Sequence, residues 1–181
     1  PYRRQRQMCI RDRISTDQGI CSYNYETEDF SRYQIKGNTK DDVCFLNTSD
    51  GMLLAACSNG LYRYNEQDSL FVPFLLDEEK PHVRYLAEDG DKTLWIDTNK
   101  GLMRYSLEKK QFVSLPTLIQ PFTQQCNNAV LISSNQLLFN TNNDFFVYHI
   151  QSNTLCNLSK DLEVKDFRCA ATDHTGNIWV G

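Results

Sequence analysis

The residues of this 181-residue chain best suited to nucleophilic, acid–base or metal chemistry are three histidines and seven cysteines. His82, His149 and His174 lie far apart and read as solvated loop residues. The cysteines are Cys9, Cys21, Cys44, Cys57, Cys126, Cys156 and Cys169, with no C-x-x-C among them. A zinc ribbon or a dithiol redox centre needs that close spacing. Seven is odd, so disulfides cannot pair them all, and most read as small buried hydrophobes in strands. No G-x-S-x-G, H-E-x-x-H or phosphate-binding glycine loop occurs. "EDGDKT" (88–93) opens like a calcium loop but lacks the later acidic ligands, so it reads as a β-turn. The chemistry-bearing residues therefore predict no catalytic group, no metal and no cofactor, and the chain is expected not to be an enzyme.

Charge and composition narrow the partners. The net charge is −4. Residues 1–13 hold five Arg and one Asp, a local +4, so the remaining 168 residues carry −8. An acidic body disfavours nucleic acid as a partner. The longest apolar run, "LFVPFLL" at 70–76, is far short of the roughly 18 residues of a membrane helix. No membrane contact is expected from this chain.

The elements that must position any site come from a repeat. "LWIDTNKGLMRYSLEKKQFVSL" (94–115) aligns with 53–74, with 137–158 and, from its third position, with 14–33. A fifth copy begins at Ile178. One column holds Gly19, Gly60, Gly101 and Asp144, at separations of 41, 41 and 43 residues. Four residues later stand Tyr23, Tyr64, Tyr105 and Tyr148. Eleven after the glycine stand Phe30, Phe71, Phe112 and Leu155, and the Trp95 column holds Leu54, Leu138 and Trp179.

A glycine between two strands supplies positive φ for a tight hairpin, and Asp144 is expected to tolerate the same left-handed conformation. The Trp column marks a strand buried on both faces, and the aromatic columns read as core between blades. A further apolar run precedes each hairpin, as in Val43–Leu46, Val83–Leu86, Ala129–Ile132 and Cys169–Ala171, giving four strands per repeat. Four short strands at this period predict an all-β chain, a partial β-propeller of about four four-stranded antiparallel blades in an open arc. The blades are assigned to 14–40, 41–81, 82–124 and 125–166, with a truncated fifth at 167–181. By propeller convention the "VRYL"-type strand is innermost and the "QFVSL"-type strand outermost.

The residues also resemble two-component regulator propeller repeats. The usual pattern there is an apolar strand, Asp, Gly-Asn, Leu-Trp-Ile-Gly-Thr, two residues, then Gly-Leu-x-x-Tyr. Asp173, Gly176, Asn177, Ile178, Trp179, Val180 and Gly181 match its first part. Leu94, Trp95, Ile96, Thr98, Gly101, Leu102 and Tyr105 match its second. "TDHTGNIW" (172–179) fits this pattern better than the sialidase box Ser-x-Asp-x-Gly-x-x-Trp, because two residues rather than one separate Asp173 from Gly176. Asp173 is then expected to accept hydrogen bonds from turn amides.

The resemblance implies a fragment of the periplasmic sensor region of a bacterial hybrid two-component histidine kinase. It implies an oligosaccharide as ligand and a homodimer as the form of the full receptor. A carbohydrate-active lyase or hydrolase on a propeller scaffold, or a generic interaction propeller, is the alternative. Tyr85, Asn127 and Asn128 are among the residues that could grip a sugar, but nothing in the sequence singles them out. "QMCIRDR" (7–13) resembles translated sequencing-adaptor read-through, so residues 1–13 are read as a non-native or disordered basic segment.

Overall fold

The computed structural model describes residues 13–16, 19–35, 43–75, 80–159, 170–175 and 177–181. They divide into two compact units, one up to His82 and one from Val83. Residues 1–12 lie outside the described set. Arg13, which the sequence placed in the basic segment, is the first residue of a strand.

The first unit holds β1 (Arg13–Thr16), β2 (Gly19–Asn24), β3 (Asp29–Ile35), β4 (Cys44–Asn47), β5 (Leu53–Cys57), β6 (Gly60–Asn65) and β7 (Leu70–Pro73). Its strands form one sheet in the order β1-β2-β3-β7-β6-β5-β4. Two antiparallel meanders are joined edge to edge by a parallel pairing of Gln34 with Leu70 and Ile35 with Phe71. The repeat alone does not predict this seam. Around it Tyr33 packs edge-on against Tyr64, with ring centroids 5.3 Å apart, and against the buried Phe71.

The second unit holds β8 (Val83–Glu88), β9 (Thr93–Thr98), β10 (Gly101–Ser106) and β11 (Gln111–Val113), then the 3-10 helix η1 (Gln120–Gln125). It continues with β12 (Asn128–Ser133), β13 (Gln136–Asn140), β14 (Phe145–His149), β15 (Thr154–Asn157), β16 (Ala170–Thr172) and β17 (Ile178–Val180). β8 to β11 and β12 to β15 are four-stranded antiparallel meanders, each with its first strand at one edge. β12 lies against β8 on one side and β16 on the other, as lining strands of successive propeller blades do. β9, the "TLWIDT" strand, is buried along its whole length.

The repeat columns have distinct physical fates. Tyr23, Tyr64 and Tyr105 sit directly across the strand pair from Phe30, Phe71 and Phe112, and Tyr148 from Leu155. The three aromatic pairs have centroids 5.0, 5.2 and 5.4 Å apart. Such directly opposed rings stabilise a strand pair by roughly 0.2–1 kcal/mol each. The Tyr148 hydroxyl instead donates to Asn153 Oδ1 at 2.9 Å. The expected core role holds for Phe71 and fails for Phe30 and Phe112, which are exposed.

The hairpin glycines differ from Asp144. Gly60 and Gly101 close two-residue hairpins, pairing with Cys57 and Thr98, with φ of +123° and +117°. Asp144 does not have positive φ. Its hairpin has the same length, but its ladder closes at Asn140 and Phe145, one pair short of the Thr98–Gly101 closure, and the Thr141 amide donates to the Asp144 carbonyl across the four-residue loop. Its carboxylate accepts instead from Asn157 Nδ2 and Ser159 Oγ.

Trp95 is fully buried under the next blade, among Ala129, Leu137, Phe139 and Tyr148. Its indole Nε1 donates to Asp89 Oδ2 at 2.8 Å, while Asp89 Oδ1 accepts from the amides of Asp91 and Thr93. The same clamp recurs six residues apart in β17, where Trp179 Nε1 donates to Asp173 Oδ2 at 3.0 Å. Asp173 also accepts from the amides of Thr175 and Asn177, which bears out its expected turn role. These bonds hold its carboxyl well below the usual range. Trp179 itself is 65% exposed, so the column expected to be buried is open in β17. In the repeat at 53–74 the column holds Leu54, and the carboxylate gives way to Thr48, whose hydroxyl accepts from the Met52 amide. Asp89→Ala is expected to lower unfolding stability by about 2 kcal/mol, because it orphans a buried indole N–H and two turn amides. Urea denaturation followed by Trp fluorescence measures this, and an unchanged midpoint would mean the clamp is idle.

Candidate functional site

β8 departs from an apolar strand at its second residue. Val83 pairs with Thr98 and Tyr85 with Asp97, so Arg84 is the extra residue of a β-bulge. A bulge re-aims the side chain it carries. Arg84 Nη2 meets Asp97 Oδ1 at 2.7 Å and also donates to the carbonyls of Thr98 (2.8 Å) and Cys126 (3.2 Å). One guanidinium nitrogen thus ties two strands of one blade to the segment that opens the next. Asp97 is 1% exposed and Arg84 28%.

Burial dominates the electrostatics of Asp97. Desolvation raises its carboxyl from 3.8 to about 6, although Arg84 and the Ala129 amide both favour the charged form. The Cys126 thiol is pushed up to about 12 by burial and by the adjacent Asp97 carboxylate, so it is inert as a nucleophile at neutral pH. Cys21, Cys44, Cys57, Cys126 and Cys156 are all free thiols.

Amide side chains flank this pair. Asn127 and Asn140 occupy, in the next repeat, the columns of Arg84 and Asp97. The Asn127 amide donates to the Asn140 carbonyl, and Asn127 Nδ2 donates to Asn142 Oδ1 at 2.9 Å across the hairpin end. In the repeat before, the same columns hold Val43 and Ala56. A charged or amide side chain in both columns thus distinguishes these two successive blades from the one before them.

The structure separates the three residues named for sugar contact. Asn127 and Asn128 adjoin the carbonyl that Arg84 holds, whereas the Tyr85 hydroxyl is turned to the Leu131 carbonyl at 3.4 Å. The histidines do not converge. His149 ends strand β14, half-buried beside Gln136, and is not the loop residue expected. Among the described residues no group of three His, Cys, Asp or Glu side chains could hold a metal ion.

No family model matches the sequence, and no curated protein matches it. Solved structures do. The extracellular domain of BT4673 from B. thetaiotaomicron, designated a one-component system in one structure and a hybrid two-component system in another, superimposes with a TM-score of 0.71 at 21% identity. That superposition covers 93% of this chain and 24% of the other. The chain is part of a β-propeller. Two further structures share the propeller fold. One is the extracellular domain of BT3049 from the same organism, designated a hybrid two-component system (TM-score 0.58, 17% identity, 93% of this chain and 30% of that one). The other is virginiamycin B lyase from Staphylococcus aureus (TM-score 0.63, 15% identity, 91% and 56%). The propeller chain thus spans about a quarter of the length of the first of these. Among its described residues no helix is long and apolar enough to cross a membrane.

Proposed function

We propose that this propeller segment belongs to the periplasmic ligand-sensing region of a bacterial hybrid two-component sensor kinase, and that the ligand is an oligosaccharide. The carrying observation is the superposition of 93% of the chain on extracellular domains designated as parts of such systems. The repeat supports it independently. The Asp-to-Trp clamp, the hairpin glycine and the strand-ending tyrosine are the residues of the regulator-propeller pattern, and here they are seen in structural roles. A sensor needs a ligand-binding surface and a change in packing or in dimer geometry, not convergent acid and base groups.

A second reading, an enzyme on the same scaffold, has the lyase superposition in its favour. It requires an acid and a base in reach of one substrate. Among the described residues the nearest approach to that is the Arg84–Asp97 pair, whose carboxylate is buried against its own counter-ion.

Autophosphorylation of the full-length gene product in membranes, assayed against a panel of glycan oligosaccharides, separates the readings. Stimulation by one oligosaccharide class supports sensing. A gene product without kinase activity, or one that consumes the sugar, overturns it.

A further inference from the structure

We propose that Arg84, with the Asn127–Asn142 amide pair, forms a subsite for an anionic group on the sensed oligosaccharide, a uronate carboxylate or a sulfate. This rests on the sensing reading and narrows its ligand class. Three observations carry it.

The first is the way Arg84 is held. All its hydrogen bonds to protein leave from Nη2, which is shared among Asp97, Thr98 and Cys126. Nη1 donates to no protein atom and is not buried, while the buried Nε has no partner. The contact with Asp97 accounts for Nη2 alone, so part of the guanidinium's donor capacity is left unused by the fold. A fixed arginine with a free nitrogen is suited to recognising a carboxylate or sulfate.

The second is the bulge. It puts an arginine side chain out of register with the apolar residues of β8, at the strand end rather than in mid-sheet. Bulges that aim a side chain in this way are over-represented beside functional sites.

The third is what surrounds Arg84. Asn127 follows the carbonyl that Arg84 holds, and its Nδ2 bond to Asn142 leaves Asn127 Oδ1 and Asn142 Nδ2 unused. One free acceptor and one free donor, fixed by each other, match the hydroxyls of a sugar ring. Gln124 and Gln125, exposed at the end of η1, extend the same amide-rich stretch, "TQQCNN" (123–128). The neighbouring repeat offers Val43 and Ala56 in the Arg84 and Asp97 columns, so this chemistry is absent one blade earlier.

Calorimetric titration of the full-length gene product tests this with oligogalacturonate, a sulfated glycosaminoglycan oligosaccharide and neutral xylo-oligosaccharide. One of the two anionic probes is expected to bind, more weakly as salt is raised, and the one that binds identifies the anion. Asn127→Ala and Asn142→Ala, both at the accessible hairpin end, are each expected to weaken it about tenfold with the fold intact by circular dichroism. Arg84→Lys, which keeps the charge and loses the fork, is expected to weaken it further. Binding of the neutral probe alone overturns this inference and leaves the sensing reading standing. Anionic binding untouched by all three substitutions likewise overturns the inference alone. Failure of every sugar to bind overturns both.

Discussion

Arg84→Ala is expected to destabilise the protein by about 3 kcal/mol at neutral pH, and by much less at pH 5. Removing one partner of a buried ion pair leaves the other charge without compensation, which typically costs 3–5 kcal/mol. The lower end applies here because Arg84 keeps a 28% exposed side chain, although Asp97 does not. The pH dependence follows from the direction of the Asp97 shift. Its folded carboxyl titrates at about 6, above the ordinary 3.8, so the folded state holds the proton more tightly than the unfolded chain does. That contribution is complete below pH 3.8 and is lost as pH rises through 6, by roughly 3 kcal/mol for a shift of this size. Without Arg84 the carboxyl loses the cation that favours its charged form, so the loss extends to higher pH. Denaturation midpoints of wild type, Arg84→Ala and Asp97→Asn between pH 4 and 8 measure this. Asp97→Asn should flatten the dependence. An Arg84→Ala penalty that did not change with pH would show that the pair is not electrostatically coupled.

The second large effect is a contrast between two glycines of one column. Gly60 and Gly101 share a positive φ, so an L side chain is strained at either, at a cost of roughly 1–2 kcal/mol. Their surroundings differ. A Cβ on Gly60 would meet Lys80 Cα at 3.7 Å, an ordinary contact. A Cβ on Gly101 would stand 2.8 Å from the Thr123 carbonyl oxygen in η1, where backbone must move. Overpacking of that kind adds about 1–3 kcal/mol. Gly60→Ala should therefore cost about 1–2 kcal/mol and Gly101→Ala about 3, with Gly101→Val worse still. Equal losses in urea denaturation followed by far-UV circular dichroism would show that η1 does not constrain the hairpin.

These two sites also show what the sequence could and could not disclose. The columns disclosed the hairpins, because a period of 41 to 43 residues repeats local turn chemistry, and local chemistry is written locally. They did not disclose that η1 presses on Gly101, since that contact depends on how the inter-blade segment folds back. The Asp89–Trp95 bond was within reach. The spacing of six recurs at Asp173 and Trp179, yet "EDGDKT" read as a turn without an indole partner. Arg84 and Asp97 also left a trace. An arginine interrupts an apolar lining strand, and Asp97 stands where the family pattern has glycine. Pairing the two required the bulge between Val83 and Tyr85, which no periodicity announces. Asp144 misled for the opposite reason. Its column implied a left-handed residue, but the ladder there stops one pair earlier and the Thr141 hydroxyl accepts from the Asn143 and Asp144 amides, which holds the turn in another way.

The seam between β3 and β7 bears on how the chain assembles. Every other pairing among the described strands joins neighbours along the chain, so each meander can zip from its own turns with little loop-closure cost. Among the described strands the seam alone joins two that are not consecutive, and it is parallel. Folding of the first unit thus separates into fast local hairpins and one non-local docking step. The entropy of that step falls as β4 to β7 shorten the loop it must close.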